Sequence, residues 1–211
     1  MCNENISVPF DYEQSKKTVE ALARKFPFLS VDVVGRTCLG RAIFAFTVGN
    51  KSNRVLLAGG FHGSEWLTCL ALFRFIERLC RAIETKSQLC SVDVSRAFSE
   101  LGAVIIPCVN PDGVEIAVHG PSGARSARSF VESLGCKDYG KWNANAMGVD
   151  INHNFNAGWE TLRRMEEEQG IKGPAPRQFG GFRAESESET KALTRLCRLI
   201  PFRQAMAVHS P

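Results

Sequence analysis

The chain has 211 residues, of which 44% are hydrophobic and 23% charged, and its formal net charge is +4. This is the composition of an ordinary globular protein, and it excludes a disordered or fibrous chain. The length is that of one sizeable domain, so we predict that residues 1–211 form a single domain.

The distribution of charge and cysteine limits the partners and the compartment. Lysine and arginine are scattered, whereas nucleic-acid-binding proteins usually carry a clustered basic surface, so we predict no nucleic-acid partner. No apolar run reaches membrane-spanning length, and residues 1–17 lack the features of a secretory signal. The eight cysteines contain no CxxC pair, so we predict a cytoplasmic protein with no membrane partner. Cys69, Cys80 and Cys197 lie in apolar helical patterns, which predicts burial.

The first half of the sequence predicts helices and strands in alternation. Residues 11–25 show the period of an amphipathic helix, and residues 31–34 and 42–48 have the composition of short strands. Residues 54–58 form an apolar run closed by two glycines, which suits a strand buried on both faces. Residues 67–83 return to helical periodicity.

A second buried strand is predicted at residues 103–109. It is followed by Asn-Pro-Asp-Gly at residues 110–113, a strong turn signal. Residues 119–145 are rich in Gly, Ser and Arg without a clear period, which predicts a long loop with an exposed His119. Two tryptophans, Trp142 and Trp159, are predicted to pack rather than to line a substrate groove.

The last third of the chain returns to regular structure. Residues 159–169 predict a helix, and Ser186 with Glu189 forms the pattern of a capping box for a helix ending near residue 199. Residues 204–208 predict a final strand. Strands that alternate with helices predict an α/β fold, a three-layer α/β/α sandwich with a mixed, mostly parallel sheet.

Three potential metal ligands follow predicted strands. In GGFHGSEW, residues 59–66, His62 and Glu65 lie between a buried strand and a helix, where a tight turn aims side chains above the carboxyl end of the sheet. His209 closes another strand, and its imidazole reaches the same point if the two strands are neighbours. Two imidazoles and one carboxylate leave a fourth position for water, as in catalytic zinc sites. His62, Glu65 and His209 are therefore candidate ligands of one Zn²⁺ per chain, and on these residues alone the alternative of hydrogen-bonded or exposed side chains without a metal stays open.

Four segments in order along the chain resemble motifs of the zinc carboxypeptidase family. They are GGFHGSEW (59–66), CVNPDGVE (108–115), GVDINHNF (148–155) and AVHSP (207–211). The resemblance implies the fold of that family, a catalytic zinc ion and hydrolysis of a peptide bond by zinc-activated water. It also implies that Asp150 accepts a hydrogen bond from a metal-binding histidine.

A narrower resemblance points to a substrate class. KWNANAMGVDIN, NAGWE and GPAPRQFGG with the later SESET resemble the bacterial branch that cleaves γ-D-glutamyl–diamino acid bonds in cell-wall peptides. This implies a muropeptide of the peptidoglycan as substrate, and the mild positive charge suits a peptide rich in carboxylates.

The sequence departs from the family pattern at two places. Asn152 is kept, but His153 stands where digestive-type members carry the arginine that grips the substrate's terminal carboxylate. We predict that Asn152 and His153 bind substrate, and that simple C-terminal exopeptidase action is disfavoured. The family's general base is a glutamate C-terminal to the third ligand, beyond Pro211, so no catalytic residue is assigned and a fragment is expected. The oxyanion-stabilising arginine is left open, with Arg125 and Arg128 in the long loop.

Two other functions remain compatible with the sequence. A zinc deacylase of the succinylglutamate desuccinylase or aspartoacylase type shares the HxxE pair and a distant histidine. A catalytically inactive zinc-binding module is favoured if the general base is absent from the whole protein. The scissile bond and the oligomeric state are not predicted.

Overall fold

The computed structural model describes residues 9–210, and residues 1–8 and 211 lie outside the described part. The prediction on a secretory signal concerned residues 1–17, so about half of that segment lies outside the described residues. The helices are α1 (Tyr12–Lys25), α2 (Trp66–Glu84), α3 (Val94–Glu100), α4 (Pro111–His119), α5 (Arg128–Ser133), α6 (Trp159–Glu168) and α7 (Ser188–Leu199). The strands are β1 (Ser30–Arg36), β2 (Ala42–Gly49), β3 (Arg54–Gly59), β4 (Gln88–Leu89), β5 (Val92–Asp93), β6 (Gly102–Ile106) and β7 (Gln204–Val208).

Five strands form one mixed sheet in the order β1-β2-β6-β3-β7. β2 pairs antiparallel with β1 and with β6, whereas β3 pairs parallel with β6 and with β7. The predicted mixed α/β sheet is confirmed, with its parallel pairing confined to β6, β3 and β7. The carboxyl ends of these three strands therefore meet at one edge of the sheet.

Helices cover both faces of this sheet. Successive side chains of a strand point to opposite faces, and in β2 Ile43 and Ala45 face α7 while Phe46 belongs to the core under α1 and α2. All five residues of β6 are buried, which identifies it as the central strand. Burial on both faces explains the continuous apolar runs of β3 and β6, and the covering helices give the predicted three layers.

Several local predictions are wrong, for physical reasons. The Asn-Pro-Asp-Gly segment starts α4 instead of making a turn: Asn110 accepts a hydrogen bond from the Gly113 amide, and Pro111 opens the helix, a position where its missing N–H costs nothing. The predicted long loop contains the end of α4, 3-10 turns at Gly120–Ala127 and Tyr139–Lys141, and α5. It packs as a third cluster around the fully buried Trp142.

Three further local features differ from expectation. Helix α7 begins after Glu187 without a side-chain cap, so the predicted Ser186–Glu189 capping box is wrong. Cys69 and Cys80 are buried as predicted, whereas Cys197 is exposed. Helix α3 and the β4–β5 hairpin were not predicted, because seven-residue and two-residue elements carry little periodicity.

None of the helices within residues 9–210 combines the length and the apolar character needed to cross a bilayer.

Candidate metal centre

The turn after β3 places His62 and Glu65. Gly60 has φ +62°, and a Cβ added there would lie 2.5 Å from the Cys69 Sγ, so a glycine is required for this turn. The Thr68 hydroxyl accepts from the Gly60 amide at 3.0 Å and donates to the Glu65 carbonyl at 2.8 Å. It thereby ties the end of β3 to the start of α2 and fixes the direction of Glu65.

His209 joins the two residues through strand pairing. β7 lies beside β3 in parallel register, with Val208 opposite Gly59. His209, the residue after β7, therefore lies at the same edge of the sheet as the turn after β3. The His209 ring stacks on Phe61 with centroids 5.3 Å apart. The two strands are therefore neighbours, which is the condition under which His209 reaches the same point as His62 and Glu65.

The rings of His62 and His209 converge on the Glu65 carboxylate. Nδ1 of His62 lies 2.9 Å from Glu65 Oε1, and Nδ1 of His209 lies 3.2 Å from Oε1 and 3.1 Å from Oε2. One ligand atom from each residue falls within 4.8 Å of the others. Two imidazole nitrogens and a carboxylate oxygen at this spacing fit a zinc ion with one open position.

The electrostatics of the site favour a positive charge. Burial raises the pKa of Glu65, but hydrogen bonds and attraction from His62 and His209 outweigh it, so the pKa lies below its usual value. Burial lowers the pKa of His62, but hydrogen bonds to Asp150 and Glu65 outweigh it and raise the pKa to about 9. Glu65 is therefore ionised at neutral pH, as a metal ligand must be.

Asp150 lies against Nε2 of His62, the ring nitrogen that points away from Glu65. Nε2 of His62 lies 3.3 Å from Asp150 Oδ1, and Asp150 is only 1% exposed. Both ring nitrogens of His62 face carboxylate oxygens and the pKa is raised, so both carry a hydrogen at neutral pH without a metal. A metal bound at Nδ1 would release that hydrogen and leave the one on Nε2, which faces Asp150. This is the usual arrangement for a metal-binding histidine, whose second nitrogen donates to a carboxylate. The structure thus places Asp150 beside His62, and its role toward a bound metal stays a prediction.

The two predicted substrate-binding residues lie in the 3-10 turn Ile151–His153, which Asp150 caps. Asn152 is exposed. His153 is half-buried, with Nδ1 2.8 Å from Glu166 Oε1 and 3.0 Å from the Gln178 carbonyl. Neither Glu166 nor Gln178 was identified from the sequence, because one lies in a helix rich in charged residues and the other among loop residues.

The remaining candidates have local partners. Asp11, Glu115 and His119 form a second cluster, but Asp11 caps α1, Glu115 pairs with Arg41 at 3.1 Å, and the ring of His119 is exposed as predicted. Arg125 donates to the Leu39 carbonyl, and Arg128 pairs with Glu132. Trp159 packs half-buried and donates to the Gly180 carbonyl at 2.8 Å.

Comparison with known proteins places the chain among peptidases. It is 26% identical to γ-D-glutamyl-L-diamino acid endopeptidase 1 of Lysinibacillus sphaericus, covering 95% of this chain and 50% of that protein. It is 29% identical to human carboxypeptidase B, and the match covers 94% of this chain and 46% of that protein. The chain thus spans about half the length of these relatives. The crystal structure of thrombin activatable fibrinolysis inhibitor superposes with a TM-score of 0.72 at 18% identity, covering 95% of this chain and 49% of that one.

The family assignment rests on the length of the match. The sequence profile of the zinc carboxypeptidases matches residues 16–211, which include all three converging side chains and Asp150. The chain belongs to the zinc carboxypeptidase family.

Proposed function

We propose that this chain is the metal-binding part of a zinc-dependent peptidase that hydrolyses cell-wall muropeptides. In this proposal residues 1–211 form one domain, and His62, Glu65 and His209 bind one Zn²⁺. The observation that carries it is the convergence of both Nδ1 atoms on the Glu65 carboxylate, with Asp150 behind His62. Because the chain spans about half of its relatives' length, hydrolysis is proposed for the protein at that length.

Each residue of the proposed site has a defined task. A zinc ion held there would acidify a bound water and polarise the scissile carbonyl. Glu65 supplies the negative charge, Asp150 keeps the hydrogen of His62 on Nε2, and Phe61 supports the His209 ring from one side. The side chain of His209 is 32% exposed and that of Glu65 is 6% exposed.

Two arguments support a muropeptide substrate. The Lysinibacillus sphaericus relative is named for cleaving γ-D-glutamyl–diamino acid bonds, and the net charge of +4 suits a ligand rich in carboxylates. His153, proposed with Asn152 to contact the substrate, has Nδ1 engaged by Glu166 and Gln178 and keeps only Nε2 for a ligand. One nitrogen does not replace the two-pronged grip of an arginine on a terminal carboxylate, which disfavours C-terminal exopeptidase action.

We further propose that the protein works in the cytoplasm. The seven cysteines within residues 9–210 are all free thiols, a state that a reducing compartment maintains.

The first test is the zinc content of the purified chain. We expect about one zinc per chain, lost in His62→Ala and retained in the control His119→Ala, whose ring lies in the other cluster. Well-folded protein without zinc would contradict the proposed ligand set.

The second test concerns the reaction and needs the protein at the length of its relatives. We expect cleavage of the γ-D-glutamyl–diamino acid bond in a cell-wall peptide and little release of a C-terminal lysine from an ordinary peptide. Hydrolysis of N-acyl amino acids without peptide cleavage would instead establish the deacylase function. Stoichiometric zinc with no hydrolysis of any of these substrates would establish an inactive binding module.

A further inference from the structure

A short segment, residues 178–180, lies against the chain around Asp150, and we call it the strap. The Gln178 amide donates to Asp150 Oδ2 at 3.1 Å, and the Asp150 amide donates to the Phe179 carbonyl at 2.7 Å. The Asn154 side chain donates to the Gly180 carbonyl at 2.9 Å. The strap therefore fixes the second oxygen of the carboxylate whose first oxygen holds His62.

The strap does not hold its conformation by itself. Gln178 has φ +68°, in the left-handed region that costs a residue with a side chain about 1 kcal/mol or more. Such a conformation persists only where its surroundings hold it. Gly180 has its own requirement, since a Cβ there would lie 2.9 Å from the His153 carbonyl oxygen.

The residue that holds the strap in place is Glu166 of α6, which is only 2% exposed. Its Oε2 accepts from the Gly180 amide at 3.0 Å and from Arg163. Its Oε1 accepts from Nδ1 of His153 at 2.8 Å, and the same nitrogen lies 3.0 Å from the Gln178 carbonyl. Nδ1 of His153 faces two acceptors and so carries the hydrogen, linking Glu166 to both ends of the strap.

We propose that Glu166 is a positioning residue for the metal centre, acting through the strap on Asp150 and through Asp150 on His62. The proposal rests on the proposed ligand set, and it adds a buried carboxylate on α6 that touches none of the three ligands. The three partners of Glu166 all donate hydrogen bonds to it. In Glu166→Gln the side-chain NH2 group, which is a donor, would therefore face at least one of these donors without forming a hydrogen bond. The strap would loosen, and Asp150 would hold His62 less firmly.

The decisive experiment is a double-mutant cycle on zinc affinity, measured by competition with a chelator. Replacing a direct carboxylate partner of a metal-bound histidine costs about tenfold to a hundredfold in metal affinity. For the more distant Glu166→Gln we expect about threefold to tenfold. The matched control is Glu167→Gln, since Glu167 pairs with the same Arg163 from an exposed position and should leave affinity unchanged.

Coupling separates positioning from a merely structural role. If Glu166 acts through Asp150, then Glu166→Gln has little further effect on zinc affinity once Asp150→Asn is present. Additive effects of the two substitutions would overturn the proposal. His153→Gln, which removes the other link to the strap, provides a second variant that should weaken zinc binding in the same range if Glu166→Gln does not fold.

A measurement on zinc-free protein separates this proposal from the proposed function. Hydrogen exchange at the Gln178 and Gly180 amides should become faster in Glu166→Gln and stay unchanged in Glu167→Gln. Unchanged exchange in Glu166→Gln overturns the positioning role whether or not zinc binds. Absence of zinc from the unmodified chain, with accelerated exchange in the variant, contradicts the ligand set and leaves the strap's dependence on Glu166 standing.

Discussion

Two buried carboxyl groups show how surroundings decide the charge of a side chain. Burial raises the pKa of Asp150, but the hydrogen bond and charge of His62, with attraction from His153 and the Gln178 amide, outweigh it and leave the pKa below its usual value. Glu189 is also fully buried, and burial raises its pKa to about 7. Ser188 donates to one of its oxygens, and within residues 9–210 the other has no hydrogen-bond partner. Asp150 is therefore ionised at neutral pH, whereas Glu189 gains its negative charge only as the pH rises through about 7.

The first prediction concerns Asp150. Asp150→Asn should reduce zinc affinity about tenfold, because an amide holds the Nε2 hydrogen of His62 less strongly than a carboxylate does. Chelator competition measures the change. Asp32→Asn, at an exposed position of β1, is the control and should bind zinc like the unmodified chain. Equal affinity in all three proteins would remove Asp150 from the site.

The second prediction concerns the pH dependence of stability. Because the pKa of Glu189 is raised in the folded chain, its stabilising contribution is complete below about pH 4.5 and is lost as the pH rises through about 7. Glu189→Gln should remove this loss and stabilise the protein at pH 8 by up to about 3 kcal/mol. Urea unfolding at pH 5 and pH 8 measures it, with exposed Glu168→Gln as control. A variant less stable than the unmodified chain at pH 8 would contradict the raised pKa of Glu189.

At the scale of elements, the site depends on close packing between the turn that carries His62 and Glu65 and two other segments. The Gly63 amide donates to the Asn143 carbonyl at 3.2 Å and the Ser64 amide to the Trp142 carbonyl at 2.7 Å. Asn110, at the start of α4, donates to the Phe61 carbonyl at 3.0 Å and to the Ala144 carbonyl at 3.1 Å. These contacts leave no space for a side chain at Gly63, whose added Cβ would lie 2.2 Å from the Gly113 carbonyl oxygen.

The third prediction tests this packing. Gly63→Ala should lower the free energy of unfolding by about 1 to 3 kcal/mol, because the turn must move away from α4. It should also weaken zinc binding, since His62 and Glu65 flank the displaced residue. Gly173→Ala is the matched control, because a Cβ there meets nothing within 4 Å. Urea unfolding and chelator competition measure both effects, and a fully stable Gly63→Ala variant would contradict the close approach.

The sequence was most informative where one physical cause dominates. Residues 54–58 were predictable as a strand because burial on both faces demands a continuous apolar run. The convergence of His62, Glu65 and His209 was predictable because the carboxyl ends of neighbouring parallel strands meet at one edge of the sheet. The start of α4 was not, because Asn-Pro-Asp-Gly suits a turn and a capped helix start equally well. Glu166 was not, because only tertiary contacts distinguish it from its charged neighbours.

At the scale of the whole sheet, the three proposed ligands follow two neighbouring strands, β3 and β7. β7 pairs only with β3 within the described residues, and Gln204 to Ala207 are exposed, Met206 by 62%. Elements with few buried contacts open at lower free energy than the core. Within the described residues, His209 therefore follows a strand paired on one side, while His62 and Glu65 follow a strand paired on both sides.

The fourth prediction follows from this difference. Zinc at a thousandfold excess over its dissociation constant should stabilise the chain by about 4 kcal/mol. Slower hydrogen exchange should be concentrated in β7, because the ion ties its end to the turn after β3. The control is His209→Ala, in which zinc should leave β7 exchange unchanged. If zinc slowed hydrogen exchange in other elements and not in β7, the result would contradict zinc binding by His209.

The separation of these ligands along the chain also sets the order in which the site is assembled. Glu65 and His209 are 144 positions apart. During synthesis, a chain long enough to form β3 and the turn with His62 and Glu65 offers only two of the three ligands. A pair of side chains holds zinc weakly, so the ion would be retained only after β6, α7 and β7 have followed. Zinc retention by partly made chains would therefore report, in a time-resolved synthesis experiment, when the parallel half of the sheet closes.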